Sequence, residues 1–224
     1  MFKAIIIGAT GATGSQLLKK LLNDQSCELV TTVGRRSSLS GKKNDKLRDV
    51  VIPSMSNLSS TEKYWLDNDV FFNCIGTTRS LAGSASNFVD IEVGISNQAA
   101  AMAHKAKINH ASLISAKGAN QNIWAKTWLH PLFYMKTIGQ KEQSVLTNFS
   151  FLNVSIFRPG MLLRLQDKQT WLENFAESRG SGLRVDILAS SMIYNAVKNK
   201  LDPVGKSTKF FVGNDEIKRS LQII

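Results

Sequence analysis

The sequence predicts an α/β protein: a doubly wound parallel sheet with helices on both faces and a small C-terminal cap. Three observations predict it. Short apolar, strand-like runs alternate with helix-like runs along most of the chain. Three glycines spaced three apart follow the first run and open the first helix. No linker or shift in composition divides the 224 residues, 43% of them apolar, so a single domain over residues 1–224 with one sizeable core is expected.

The elements follow in order. Lys3 to Ile7 reads as the first strand, with no leader ahead of it. Gly14 to Leu22 reads as a helix, with Leu17, Leu18, Leu21 and Leu22 on one side. Glu28 to Val33 is the second strand, and the polar stretch Ser37 to Arg48 a loop. A short third strand is expected at Val50 to Ile52, ended by Pro53, which has no N–H for a ladder. The fourth strand is Asp69 to Ile75, and a helix with an alanine-rich centre follows at Phe88 to Ala106. His110 to Ser115 is the fifth strand, Leu132 to Leu146 a helix, and Phe151 to Phe157 the sixth strand, stopped by Arg158-Pro159-Gly160. From about Met161 onward, a helix near Ala189 to Lys198 and a strand near Lys209 to Val212 are read as the cap.

Composition narrows the function classes. No run of about 18 apolar residues exists, so no transmembrane helix is expected. Cys27 and Cys74 lack metal-ligand spacing and read as reduced thiols, and no metal site is expected. The formal charge is +11, but the basic residues are scattered except between Arg35 and Arg48. Without a nucleic-acid-binding motif, charge alone is a weak argument for a nucleic-acid partner.

The glycine turn carries the first chemistry. Gly8-Ala9-Thr10-Gly11-Ala12-Thr13-Gly14 joins a strand to a helix, the context in which backbone approaches a pyrophosphate and a helix N-terminus offers free N–H groups. Gly8, Thr10, Gly11, Ala12, Thr13 and Gly14 are therefore candidate dinucleotide contacts. At the end of the second strand an Asp or Glu would bind a ribose 2′-hydroxyl. This chain has Arg35 and Arg36 there, and no acid before Asp45. Two guanidinium groups suit a 2′-phosphate, so the expected cofactor is NADP(H).

The segments GATGATG, VGRR, NCIGTTRSLAG, LISAKGA, FYMKTIGQKE and FRPGMLL occur in that order between Met1 and about Leu163. Together they resemble the atypical short-chain dehydrogenases/reductases, in the branch of Tat-interacting-protein-like oxidoreductases and their yeast mitochondrial relatives. The resemblance implies a Rossmann-type sheet and NAD(P) binding. It places Cys74, Ile75, Gly76 and Thr77 along the cofactor at the end of the fourth strand, and Arg158, Pro159 and Gly160 at the nicotinamide end. It also implies an acidic residue after the third strand, near the adenine, where this chain has Pro53-Ser54-Met55.

Short-chain reductases use a Tyr, a Lys four residues later and a Ser. The Tyr exchanges a proton with the substrate oxygen, the Lys lowers the Tyr pKa and holds the ribose, and the Ser positions the substrate. Tyr134 matches the Tyr, but Ile138 stands where the Lys is expected. Lys136 lies about 200° around the helix from Tyr134. Lys141 returns to the Tyr134 face, but its Cα lies roughly 10 Å along the axis, so it is expected to reach the site only with difficulty. His130, four residues before Tyr134, is a further neighbour to consider. The expected Ser pair reads Ser115-Ala116, which leaves Ser115 as the candidate.

Two readings remain open: an NADPH-dependent reductase of a small carbonyl substrate, or a catalytically impaired NADP(H)-binding subunit of a larger protein assembly. The expected location is cytoplasmic, with mitochondrial as the alternative.

Overall fold

The structure, a computed structural model, describes residues 1–125, 131–165, 181–201 and 205–221. Its sheet is built from β1 (Phe2–Ile7), β2 (Cys27–Gly34), β3 (Leu47–Val51), β4 (Val70–Asn73), β5 (His110–Ile114) and β6 (Asn153–Arg158). Two-residue strands β7 (Leu162–Leu163) and β8 (Leu183–Arg184) pair apart from it, and β9 (Ser207–Val212) completes it. The order is β3-β2-β1-β4-β5-β6-β9, and every neighbouring pair is parallel. The chain first builds outward from β1 to β3, then returns to β4 on the other side of β1. That reversal opens a crevice at the C-terminal ends of β1 and β4.

The helices are α1 (Ala12–Asn23), α2 (Arg79–Ala82), α3 (Ala85–Val89), α4 (Ser96–Lys105), α5 (Phe133–Asn148), α6 (Val185–Leu201) and α7 (Asn214–Arg219). Side chains alternate along a strand, and β1 shows the consequence. Ala4 and Ile6 face one layer, with Leu17, Leu18 and Leu21 of α1 and Leu188 and Met192 of α6. Ile5 and Ile7 face the other, with Trp65, the alanines of α4 and Val145 of α5. Ala99, Ala100 and Ala103 are all fully buried, because their small side chains let α4 lie close to the sheet. Each fully buried isoleucine contributes about 1.5–3 kcal/mol. Covering both faces removes the polar alternation of a half-exposed sheet, which is why these strands read as continuous apolar runs.

Several elements differ from the sequence expectation. The third strand begins at Leu47 rather than Val50: it is an edge strand with half-exposed side chains, so the polar Arg48 and Asp49 fit within it. The helix expected over Phe88 to Ala106 is α3, a π-helical stretch at Asp90–Ile95, and α4. A 3-10 segment at Met55–Tyr64, with Ser54 Oγ accepting from Ser56 N, was not expected. The C-terminal part is only partly a cap, since α6 covers α1 and β9 extends the sheet beyond β6. Among the described residues, no helix is long and apolar enough to cross a membrane.

Candidate dinucleotide site

A cavity of about 560 Å³ lies at the C-terminal ends of β1, β2 and β4, lined by Gly8–Gly11, Gly34–Arg36 and Cys74–Thr77 among others. Gly8 has φ +79°, and a β-carbon there would lie 2.5 Å from the Cys74 carbonyl oxygen. A β-carbon on Gly14 would land on the Gly8 carbonyl. These two glycines let α1 press against the end of β1. Gly11 is the N-cap of α1; no side chain caps it, and the first turn carries no acid. The N–H groups and dipole of such a helix start favour an anion. Thr10 lines the cavity, whereas Ala12 and the buried Thr13 lie in the first turn of α1 outside the lining.

Strand order gives the cavity two halves on either side of this turn. On the β2 side, Arg35 and Arg36 are exposed and line the cavity, and Arg36 Nη2 donates to Thr10 Oγ1 at 3.4 Å. Sequence reasoning missed Asp49, which comes in from β3. Its carboxylate accepts from Thr32 Oγ1 at 2.6 Å, Ser37 Oγ at 2.8 Å and Ser38 N at 2.9 Å. Burial pushes this carboxyl up, but those hydrogen bonds outweigh it and hold its pKa below the usual range. Asp49 is thus the internal brace of the turn that carries the arginines. The acid expected after the third strand is replaced by Ser54, Met55 and Ser56, which also line the cavity.

On the β4 side, Cys74, Ile75, Gly76 and Thr77 all line the cavity. Burial pushes the Cys74 thiol up to about 12, so it stays protonated, and both cysteines are free. Behind this segment stands a buried ion pair that the sequence did not announce. Lys141 Nζ lies 3.2 Å from Glu92 Oε2, with both side chains 2% exposed. Lys141 also donates to the Ile75 carbonyl at 2.7 Å, and Glu92 Oε1 accepts from Thr77 N at 2.7 Å. Lys141 is thus committed to the end of β4 and to Glu92.

The remaining candidates lie beside the cavity rather than in its lining. Tyr134 packs against a small apolar cluster of Ala116, Ala119 and Ile138, and its ring lies 5.8 Å from that of Phe88. The two departures from the reductase pattern, Ala116 for Ser and Ile138 for Lys, therefore fall in one cluster. Burial, with Glu92 adding to it and Arg164 opposing, pushes the Tyr134 hydroxyl up to about 12. Ser115 donates its hydroxyl to Glu142 Oε1. Arg158 grips the same carboxylate at 2.8 and 2.5 Å, and its guanidinium lies 4.7 Å from the centre of the Phe210 ring. Pro159 follows, its carbonyl accepting from Lys117 N, and Gly160 N donates to Asn214 Oδ1 at 2.9 Å. Lys136 turns to the Ala125 carbonyl, and His130 lies outside the described residues. Glu92 and Glu142 were missed because a carboxylate within a helical run reads as solvated until its partner is known.

Comparison with known proteins gives the family and the fold. A family model described as NAD(P)H-binding matches residues 8–193. The protein FMP52, mitochondrial, of Candida albicans is 34% identical over 159 residues, 70% of this chain and 66% of that protein. The protein HTATIP2 of Rattus norvegicus is 32% identical over 160 residues, 70% of this chain and 62% of that one. The matched part thus spans just under two thirds of these relatives. Among solved structures, the oxidoreductase ylbE of Lactococcus lactis superposes with TM-score 0.67 at 16% identity, over 98% of this chain and 95% of the other. The Bordetella bronchiseptica enzyme WbmH, in complex with NAD+, superposes with TM-score 0.69 at 16% identity, over 94% and 75%. At that identity the structures share the fold.

Proposed function

The chain belongs to the NAD(P)H-binding family, and from that premise we propose that it holds NADP(H) in the cavity and is a reductase-like protein with weakened proton transfer. One observation carries the cofactor choice. Arg35 and Arg36 line the β2 side, while the one acid beside them, Asp49, already accepts from Thr32, Ser37 and Ser38. Among the described residues a ribose 2′-hydroxyl finds no uncommitted carboxylate on that side, and a 2′-phosphate finds two guanidinium groups. The glycine turn and the bare start of α1 fit a pyrophosphate.

Bound NADPH would supply hydride to a carbonyl carbon. Tyr134 would then give its phenolic proton to the carbonyl oxygen without a lysine four residues on. A hydroxyl with a pKa near 12 remains a competent hydrogen-bond donor but a weak acid. The apolar cluster of Ala116, Ala119 and Ile138 favours a second reading, in which cofactor is bound without turnover for the sake of a protein assembly. The word mitochondrial in the names of the fungal relatives supports that location over the cytoplasmic one for this chain.

Titration with NADPH and NADH tests the cofactor reading. NADPH should bind at least about ten-fold more tightly, a difference of about 1.4 kcal/mol. Arg35→Ala with Arg36→Ala should remove most of that preference and leave NADH nearly unchanged. Equal affinities in the unmodified protein would refute the reading.

A further inference from the structure

The buried pair of Glu92 and Lys141 is unexplained by the proton chemistry of Tyr134 and by the glycine turn. Neither side chain lines the cavity, and each is 2% exposed. Placing both charges in the interior is expensive, and an ion pair alone seldom recovers that free energy relative to apolar replacements. What distinguishes this pair is where its other hydrogen bonds go. Lys141 donates to the carbonyl of Ile75, and Glu92 accepts from the N–H of Thr77. The two side chains therefore hold both flanks of one glycine, Gly76, whose own β-carbon would meet only Glu92 Oε1, at 3.7 Å. That segment is the wall of the cavity on the β4 side.

The local backbone supports a designed placement. Glu92 belongs to the π-helical stretch Asp90–Ile95, whose extra residue per turn re-aims side chains. Asp90, Ile91 and Gly94 of the same stretch line the cavity, while Glu92 is turned behind it to Lys141. Strand order assigns the β2 side of the turn to the adenosine and the β4 side to the second nucleoside.

We propose that Glu92 and Lys141 are positioning residues that clamp the Ile75–Thr77 backbone as the seat of the nicotinamide ring. The inference rests on the reading of the cavity as an NADP(H) site. It predicts an effect confined to the nicotinamide end of the ligand, because the rest is held by Arg35, Arg36 and the start of α1.

The experiment compares NADPH with 2′-phospho-ADP-ribose, which lacks the nicotinamide, by calorimetric titration. Lys141→Met should weaken NADPH about ten-fold or more and change 2′-phospho-ADP-ribose by less than about two-fold. Because Lys141→Met leaves Glu92 buried without its partner, the paired change Glu92→Leu with Lys141→Met is measured beside it. Apolar pairs often replace a buried ion pair without loss of stability. The paired variant should melt near the unmodified protein and still bind NADPH about ten-fold more weakly, with 2′-phospho-ADP-ribose unchanged. Unchanged NADPH affinity in a folded paired variant overturns the clamp. Equal weakening of both ligands also overturns it, since the pair would then serve the fold as a whole. Failure of the paired variant to fold has the same meaning. If the unmodified protein binds neither ligand, the cofactor reading itself has failed, a result separable from the others.

Discussion

The two halves of the cavity were built by different rules. On the β2 side, residues close in sequence do the work: Arg35, Arg36, Ser37 and Ser38 form one turn, and Asp49 of the next strand braces it. On the β4 side, Ile75 to Thr77 are held by Glu92 and Lys141, which are 49 residues apart. Beside Tyr134, Ala116 and Ile138 stand in one apolar cluster where the reductase pattern has a hydroxyl and an ammonium. On the proposed function, cofactor retention and proton transfer then fall to different side chains, even where α5 carries both Tyr134 and Lys141. One can be kept while the other is rewired.

The largest effect should come from the turn shared by both halves. Gly11→Val places a branched side chain at the start of α1, with its β-carbon 3.2 Å from the Gly8 carbonyl. NADPH affinity should fall more than about 100-fold, and the melting temperature should shift by only a few degrees, since Gly11 is exposed. Retained affinity in a titration would mean that the pyrophosphate does not lie on α1, and the division into halves would collapse.

A smaller effect tests the rewiring of the second half. Ile138→Lys alone should lower stability by about 2 kcal/mol in chemical denaturation, because Ile138 is 3% exposed and its neighbours are apolar. Combined with Ala116→Ser, it should raise NADPH oxidation on generic carbonyl substrates about ten-fold, and Tyr134→Phe should abolish that gain. The pH profile sharpens the test. Alcohol oxidation needs the tyrosinate, so with Tyr134 near 12 its rate should climb with pH and show no plateau while the fold persists. A lysine at position 138 favours the charged phenolate and should bring the plateau down in pH. Turnover that survives Tyr134→Phe would exclude this residue as the donor.

The smallest effect belongs to the brace of the first half. Asp49→Asn keeps the shape but puts an amide N–H₂ where a carboxylate oxygen accepted from Ser37 or Ser38. NADPH binding should weaken about three-fold, with NADH unaffected. A loss as large as that of the double arginine variant would make Asp49 a direct partner of the ligand rather than a support.

The same division governs what was legible in the sequence. The glycine turn, the arginines after β2 and the strands flanking them are local signals, and periodicity and turn chemistry expose them. The sheet was readable because its strands are buried on both faces. The Lys141–Glu92 pair was not, since nothing local reveals that β4 ends against α5. Helix geometry alone gives Lys141 no partner. Edge strand β3 was shortened for a related reason: a half-exposed strand tolerates Arg48 and Asp49, and no pattern marks it. Ser115 was legible as a residue type, but its bond to Glu142 required the fold.

The pairing of α6 with α1 has a consequence for biogenesis. Leu17, Leu18 and Leu21 of α1 are sealed by Leu188 and Met192 of α6, some 170 residues later in synthesis. At about 5–20 residues per second, the ribosome needs roughly ten seconds or more to deliver that cover. Throughout that interval the nascent N-terminal half presents a leucine stripe without its lid. Such a chain is a natural client for a holding chaperone, and truncations before Val185 should emerge from translation bound to one.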